Sequence, residues 1–292
     1  METGLRDDAL RAWHAGGVEL TTPWGNVFTR HNEGSGPTLL LLHGYPTSSY
    51  DWHALLPLLG DRPLLTLDFL GFGLSAKPRR HRYSLIEQAK IAEHVVGALT
   101  TGPVIVFGHD MGTSVATELM ARDTEQALSF PLQRVILSNG SVLLDRARLR
   151  PVQKLLRSPA GPLVSALSNR RMFHRQLGAV FSTGHPLTTA EADRHWELLT
   201  VHNGHRRLHR LTAYLRERVR YAPRWHGAVR DWPGQVGFLW GLRDPVATAD
   251  VLDGLRELRP DAAVVALPEL GHYPQLEDPA AVARGLEVLL PS

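Results

Sequence analysis

The stretch Val104–Ala116 constrains this chain more than any other. An apolar run, Val104-Ile-Val-Phe107, stops at Gly108-His109-Asp110-Met111-Gly112 and passes at once into the small residues Thr113-Ser114-Val115-Ala116. A strand that turns directly into a helix belongs to a parallel sheet with crossover helices. The two glycines have a physical reason. So tight a turn strains its central residue, and only small flanks let the chain pass. The pattern is that of an elbow, G-x-nucleophile-x-G, which holds its central side chain above the sheet edge beside a helix N-terminus. Here the central residue is Asp110.

The rest of the chain agrees with a sheet of this kind. Short apolar runs at Val18–Thr22, Val27–His31, Thr38–Leu42, Leu64–Leu67, Val104–Phe107, Val135–Leu137, Gly237–Trp240 and Ala263–Leu267 read as eight strands. Leu39–Leu42 is continuous rather than alternating, as expected of a strand covered on both faces. Helical stretches fall between them, at about Tyr50–Leu59, Leu85–Leu99, Met111–Arg122, Ala249–Leu258 and Pro279–Leu290. The spacing predicts an α/β fold with helices on both faces of a mostly parallel sheet. One segment breaks the rhythm. Between Ser141 and Trp232 no buried strand is evident, and helical patterning appears at Glu191–Leu199 and Leu208–Val219. Pro151, Pro159, Pro162, Pro186 and Pro223 cut it into short helices. The expected organisation is a core of residues 1–140 and 233–292 with an inserted helical segment, 141–232.

A carboxylate at an elbow attacks saturated carbon by displacement and forms an alkyl-enzyme ester. Seen alone, Asp110 has a second reading as a helix cap. No G-x-S-x-G competes with it, and the chain has no Cys, so thiol nucleophiles, disulfides and thiolate metal sites are excluded.

Taken together, the motifs resemble the α/β-hydrolase superfamily, in its Asp-nucleophile branch of epoxide hydrolases and haloalkane dehalogenases. The likeness is carried by Leu39-Leu-Leu-Leu-His43-Gly44-Tyr45-Pro46, by Leu67-Asp68-Phe-Leu-Gly71-Phe-Gly73-Leu-Ser75, by the elbow, by Gly241-Leu-Arg-Asp244 and by Leu270-Gly271-His272-Tyr273-Pro274. It spans roughly residues 20–290 with five motifs in the family's order. It is closest to the mesoderm-specific transcript group, through Gly44–Trp52, Leu67–Gly73 and His272–Pro279.

The resemblance implies an α/β-hydrolase fold and a cap. It also implies an Asp110–Asp244–His272 set in which His272 activates water against the ester and Asp244 orients the imidazole. Without it, His272 reads as one of 15 His in a loop, and Asp244 as an Asp-Pro turn. The backbone N–H groups of Tyr45 and Met111 are the expected oxyanion donors. His43 then shapes its loop, while His43, His109 and Tyr221 remain candidates for a second acid or a pocket wall.

Met111 stands where dehalogenases of the superfamily place Trp, and Tyr45 where they often place Asn. Both departures favour epoxide opening over the alternative, haloalkane dehalogenation. The acid that protonates the epoxide oxygen is expected to be Tyr214, with Tyr221 seven residues later on the same helical face. A third alternative is a non-catalytic ligand-binding protein on this fold.

No cofactor fingerprint appears. His202, His205 and His209 share one helix face by spacing but lack a carboxylate, so they read as a solvated face rather than a metal site. Lys and Arg total 32 against 29 Asp and Glu, a net charge of +3. No basic run interleaves with aromatics, so nucleic acid is not an expected partner. The Arg of the inserted segment reads as a basic outer face over an apolar pocket. No membrane-length apolar run occurs, and the N-terminus METGLRDDALRAWHAGG has no apolar core of a secretory signal. The expected setting is cytoplasmic, with a small apolar organic substrate and water as partners and a homodimer left open.

Overall fold

The computed structural model describes residues 4–290. Met1–Thr3, which begin the N-terminal stretch judged above, lie outside the described residues. The chain opens with α1 (Asp8–Ala15), an antiparallel pair β1 (Val18–Thr22) and β2 (Gly25–Asn32), then β3 (Thr38–Leu42) and β4 (Leu64–Leu67). Next come α2 (Leu85–Leu99), β5 (Val104–His109), α3 (Met111–Thr124) and β6 (Leu132–Ser138). Seven helices follow: α4 (Pro151–Leu156), α5 (Gly161–Ala166), α6 (Arg170–Gly178), α7 (Thr189–Thr200), α8 (Leu208–Leu211), α9 (Tyr214–Arg220) and α10 (Ala222–Asp231). The sheet resumes with β7 (Gln235–Gly241), α11 (Ala249–Leu258) and β8 (Ala263–Leu267), and the chain closes with α12 (Pro274–Glu277) and α13 (Pro279–Leu289).

The eight strands lie in the order β1-β2-β4-β3-β5-β6-β7-β8. The β1–β2 and β2–β4 pairs are antiparallel, and every later pair is parallel. The fold is that of an α/β hydrolase. The runs that read as strands covered on both faces are so: every residue of β3, β4 and β5 is buried. One apolar cluster, including Leu40, Val106, Val115 and Leu137, fills the sheet face beneath α2 and α3. A second, including Leu41, Phe107, Leu239 and Leu286, fills the face beneath α13. Helix α3 is central, and every residue from Met111 to Ala121 is buried. Its small side chains let the helix lie close to the sheet.

Two helical expectations are corrected. Tyr50–Leu59 is not one helix but two 3-10 turns, Ser49–Trp52 and Leu56–Leu58. The buried Asp68 carboxylate captures the N–H and hydroxyl of Ser49 at 2.7 and 2.6 Å, pinning the chain there, and Pro57 lacks the N–H that a longer helix needs. Leu208–Val219 breaks at Thr212-Ala213 into α8 and α9, because the Thr212 hydroxyl bonds back to the His209 carbonyl at 2.9 Å.

The helices between β6 and β7 are fastened to the sheet helices by buried polar ties. Glu118 of α3 accepts from Arg224 at 2.8 and 3.0 Å and from Trp225 Nε1 at 2.9 Å. Glu217 of α9 caps the start of α2, taking the Leu85 N–H at 2.6 Å and the Ser84 hydroxyl at 3.1 Å.

Candidate active site

Asp110 stands between β5 and α3 with φ 44° and ψ −105°. A non-glycine residue there costs on the order of 1–3 kcal/mol, so the surroundings must enforce it. They do. A Cβ on Gly112 would lie 2.2 Å from the Leu42 carbonyl oxygen, and one on Gly108 would lie 2.7 Å from the Gly112 oxygen. The Asp110 N–H donates to the Ser138 carbonyl at 3.1 Å, and its own carbonyl accepts from the Thr113 hydroxyl at 2.6 Å. The side chain does not cap α3. Its Oδ2 instead accepts the Tyr45 N–H at 2.9 Å. Met111 is the first residue of α3, where a backbone N–H has no intrahelical acceptor.

His272 lies in the loop between β8 and α12. Its Nδ1–H donates to Asp244 Oδ2 at 2.7 Å. Asp244 is held in turn by three more donors: Oδ1 takes the N–H groups of Val246 and Ala247 at 2.7 and 3.0 Å, and Oδ2 takes Asn139 Nδ2 at 2.9 Å. The structure therefore brings Asp110, Asp244 and His272 to one sheet edge, and all three are buried. Burial alone would push the imidazole down. The charge and hydrogen bond of Asp244, with the charge of Asp110, outweigh it and hold His272 above its ordinary value.

Asp110, His272, Tyr45 and Tyr273 form the floor of a cavity of about 110 Å³. Its walls are apolar, including Leu156, Phe173, Leu177, Val180 and Trp196 from the helical segment. Tyr214 is buried against the lining residues Tyr45 and Gln153. Its ring lies 5.6 Å from that of Tyr45, and its hydroxyl oxygen accepts from Gln153 Nε2 at 3.2 Å rather than bonding to Asp110. Burial, and then the charge of Asp110, push this phenol well above its ordinary value.

Other candidates fall away from the cavity. Tyr221 sits at the junction of α9 and α10 and packs on Trp225 at 5.6 Å, outside the cavity wall. Counting seven residues from Tyr214 failed because the helix ends at Arg220. His43 and His109 are completely buried and serve as props. The His43 ring donates to the Gly44 carbonyl at 2.7 Å and accepts the Phe69 N–H at 2.9 Å. His109 Nε2 donates to the His272 carbonyl at 2.6 Å, and its Nδ1 accepts from Gln275 at 3.2 Å. Burial pushes them down to about 3 and about 4, so both are neutral and neither supplies a proton. His202, His205 and His209 share no helix face, because His202 has φ 52° within an irregular turn.

Two side chains that contact Asp110 or Asp244 escaped the sequence reading. Arg218, grouped there with a basic outer face, is buried. Its Nη2 lies 3.6 Å from Asp110 Oδ1 and donates to the Asp110 carbonyl at 2.9 Å, while its Nε donates to the Ser114 hydroxyl at 2.8 Å. Its guanidinium also covers the Tyr214 ring at 4.7 Å. The signal was available, since Arg218 is four residues from Tyr214 and one helical turn puts both on one face. Asn139 takes φ 45° at the end of β6 and ties Asp244 to the Gly241 backbone.

The comparisons with known proteins follow the same line. Residues 39–285 match the model of the alpha/beta hydrolase family, and the chain belongs to that family. It is 58% identical over 286 residues to LipZ of Mycobacterium tuberculosis, provisionally named a hydrolase, covering 98% of this chain and 99% of that one. It is 33% identical over 283 residues to the mesoderm-specific transcript protein of Mus musculus, covering 93% and 84% of the two chains. Among solved structures, the epoxide hydrolase CorEH superposes with a TM-score of 0.77 at 19% identity, covering 94% and 97%. The protein is thus a hydrolase of the α/β fold. No helix among the described residues is long and apolar enough to cross a membrane.

Proposed function

We propose that this hydrolase opens small apolar epoxides through a covalent ester on Asp110. The observation that carries the reading is the carboxylate itself. At a strained elbow on the floor of an apolar cavity, its Oδ2 is held by the Tyr45 amide, which leaves Oδ1 to attack.

In the first step Asp110 Oδ1 bonds to an epoxide carbon. The ring C–O bond breaks, and its electron pair goes to the oxygen, which takes the Tyr214 proton. Tyr214 has used its acceptor on Gln153, so its proton is free to leave. Negative charge passes from Asp110 towards Tyr214, and Arg218 lies against both, so the buried cation keeps a partner throughout. In the second step His272 takes a proton from water, and the hydroxide adds to the Asp110 carboxyl carbon. The oxyanion forms at the Tyr45 and Met111 N–H groups. Its collapse expels the alkoxide, which takes the proton from His272, and the proton left on Asp110 returns to the Tyr214 phenolate. Epoxide and water have become a diol. In this scheme the helical segment, residues 141–232, acts as a cap.

The test is turnover of a panel of terminal epoxides and haloalkanes by the wild type and by Asp110→Asn. Diol formation that vanishes in Asp110→Asn supports the reading. Halide release without diol formation from epoxides would replace it with dehalogenation.

A further inference from the structure

We infer that Arg150 receives a carboxylate carried by the otherwise apolar substrate of this cavity. The inference deepens the reading of the cavity as a substrate site and names a substrate class for it.

Besides the phenols of Tyr45 and Tyr273, three ionisable residues line the cavity: Asp110, His272 and Arg150. The first two have partners inside the protein. The Arg150 guanidinium has no hydrogen bond or ion pair among the described residues, and its Nε is buried without an acceptor. A buried donor left unmade is destabilising, so its retention on a cavity wall marks where a ligand acceptor fits.

Nothing else in the fold accounts for this cation. It stands just before α4, where the positive end of a helix disfavours positive charge. Its backbone N–H is already satisfied by Gln153 Oε1 at 2.9 Å. Its neighbours along the chain behave differently. Arg146 hydrogen-bonds Glu257, with one contact at 3.1 Å, and Arg148 lies 4.0 Å from Asp250. Arg150, next in the alternation, meets the cavity instead. The wider field has the same sign. Residues 146–190 contain eight Lys and Arg and no Asp or Glu; Arg146, Arg148 and Arg170 meet acids from elsewhere in the chain, and of the eight only Arg150 lines the cavity.

The donor fork of a guanidinium matches a carboxylate, and one guanidinium balances one charge. The apolar walls take the rest of the molecule. The substrate class that follows is a medium-length carboxylic acid whose reactive carbon reaches Asp110 while its carboxylate meets Arg150.

Binding tests this without turnover. In calorimetric titration of the intact protein, octanoate binds at least about tenfold more tightly than 1-octanol, a difference of about 1.4 kcal/mol. Arg150→Gln abolishes the preference and leaves octanol binding unchanged, whereas Arg148→Gln keeps it. Equal affinities in the wild type, no binding of either compound, or a preference that survives in Arg150→Gln overturns the inference. Turnover of 7,8-epoxyoctanoate against its methyl ester then separates the two claims. If octanoate is preferred but neither epoxide opens, the anion site stands and the epoxide chemistry falls. If both open equally well, the anion site falls alone.

Discussion

Arg218 and Asp110 form a buried pair of opposite charges, 3.6 Å apart. Removing one partner of such a pair leaves the other charge unpaired, at about 3–5 kcal/mol. Arg218→Met should therefore lower stability by about that much in the wild type and by clearly less in an Asp110→Asn background, read as a double-mutant cycle of urea unfolding. Equal costs in both backgrounds would show that the pair does not interact. His272 gives a second prediction at this scale. Its pKa is raised in the folded protein, and in the proposed mechanism the neutral ring is the base. The acid limb of kcat/KM should therefore lie above the ordinary histidine value of about 6.5. Asp244→Asn removes the charge that raises it, so the limb should move to lower pH while the maximum rate falls. A limb that stays in place would separate Asp244 from the base. At the residue scale the elbow singled out Asp110, while Asp244 and His272 were singled out by the family resemblance; the structure brings the three to one sheet edge. Arg218 was hidden because its burial depends on helices far apart in the chain.

At the scale of elements, the elbow carries the site. The Gly112 position leaves no room for a Cβ against the Leu42 carbonyl, which is backbone and cannot swing aside. Gly112→Val should cost about 3 kcal/mol, the upper end of what overpacking usually costs, and should be seen as a large drop in melting temperature. Retention of wild-type stability would contradict the close approach of α3 to β3. The central strands β3, β4 and β5 were legible because two-sided burial writes continuous apolar runs, and all eight strands appeared where expected although β1 and β8 are largely exposed. The helices after β6 were less so. Their breaks depend on hydroxyl and carboxylate captures, such as Thr212 on the His209 carbonyl, which periodicity does not register. The same holds for Tyr50–Leu59, where a distant Asp68 decides the local conformation.

For the whole molecule, charge placement separates three roles that composition merges. Arg224 and Glu118 tie α10 to α3, Arg218 serves the elbow, and Arg150 meets the cavity. A net charge of +3 reveals none of this. Glu118→Ala removes the acceptor shared by Arg224 and Trp225 and should destabilise the chain by about 2 kcal/mol, the cost of unmade buried charged hydrogen bonds. Its effect should be seen in thermal unfolding and should leave the His272 limb of the pH profile in place. The central claim, a covalent ester on Asp110, is tested most directly by intact-mass measurement of His272→Gln after mixing with a terminal epoxide that the wild type turns over. The expected result is a species heavier by the full mass of the epoxide, located on Asp110 and absent from the Asp110→Asn, His272→Gln double variant. An unmodified protein, together with undiminished turnover by Asp110→Asn, would contradict it.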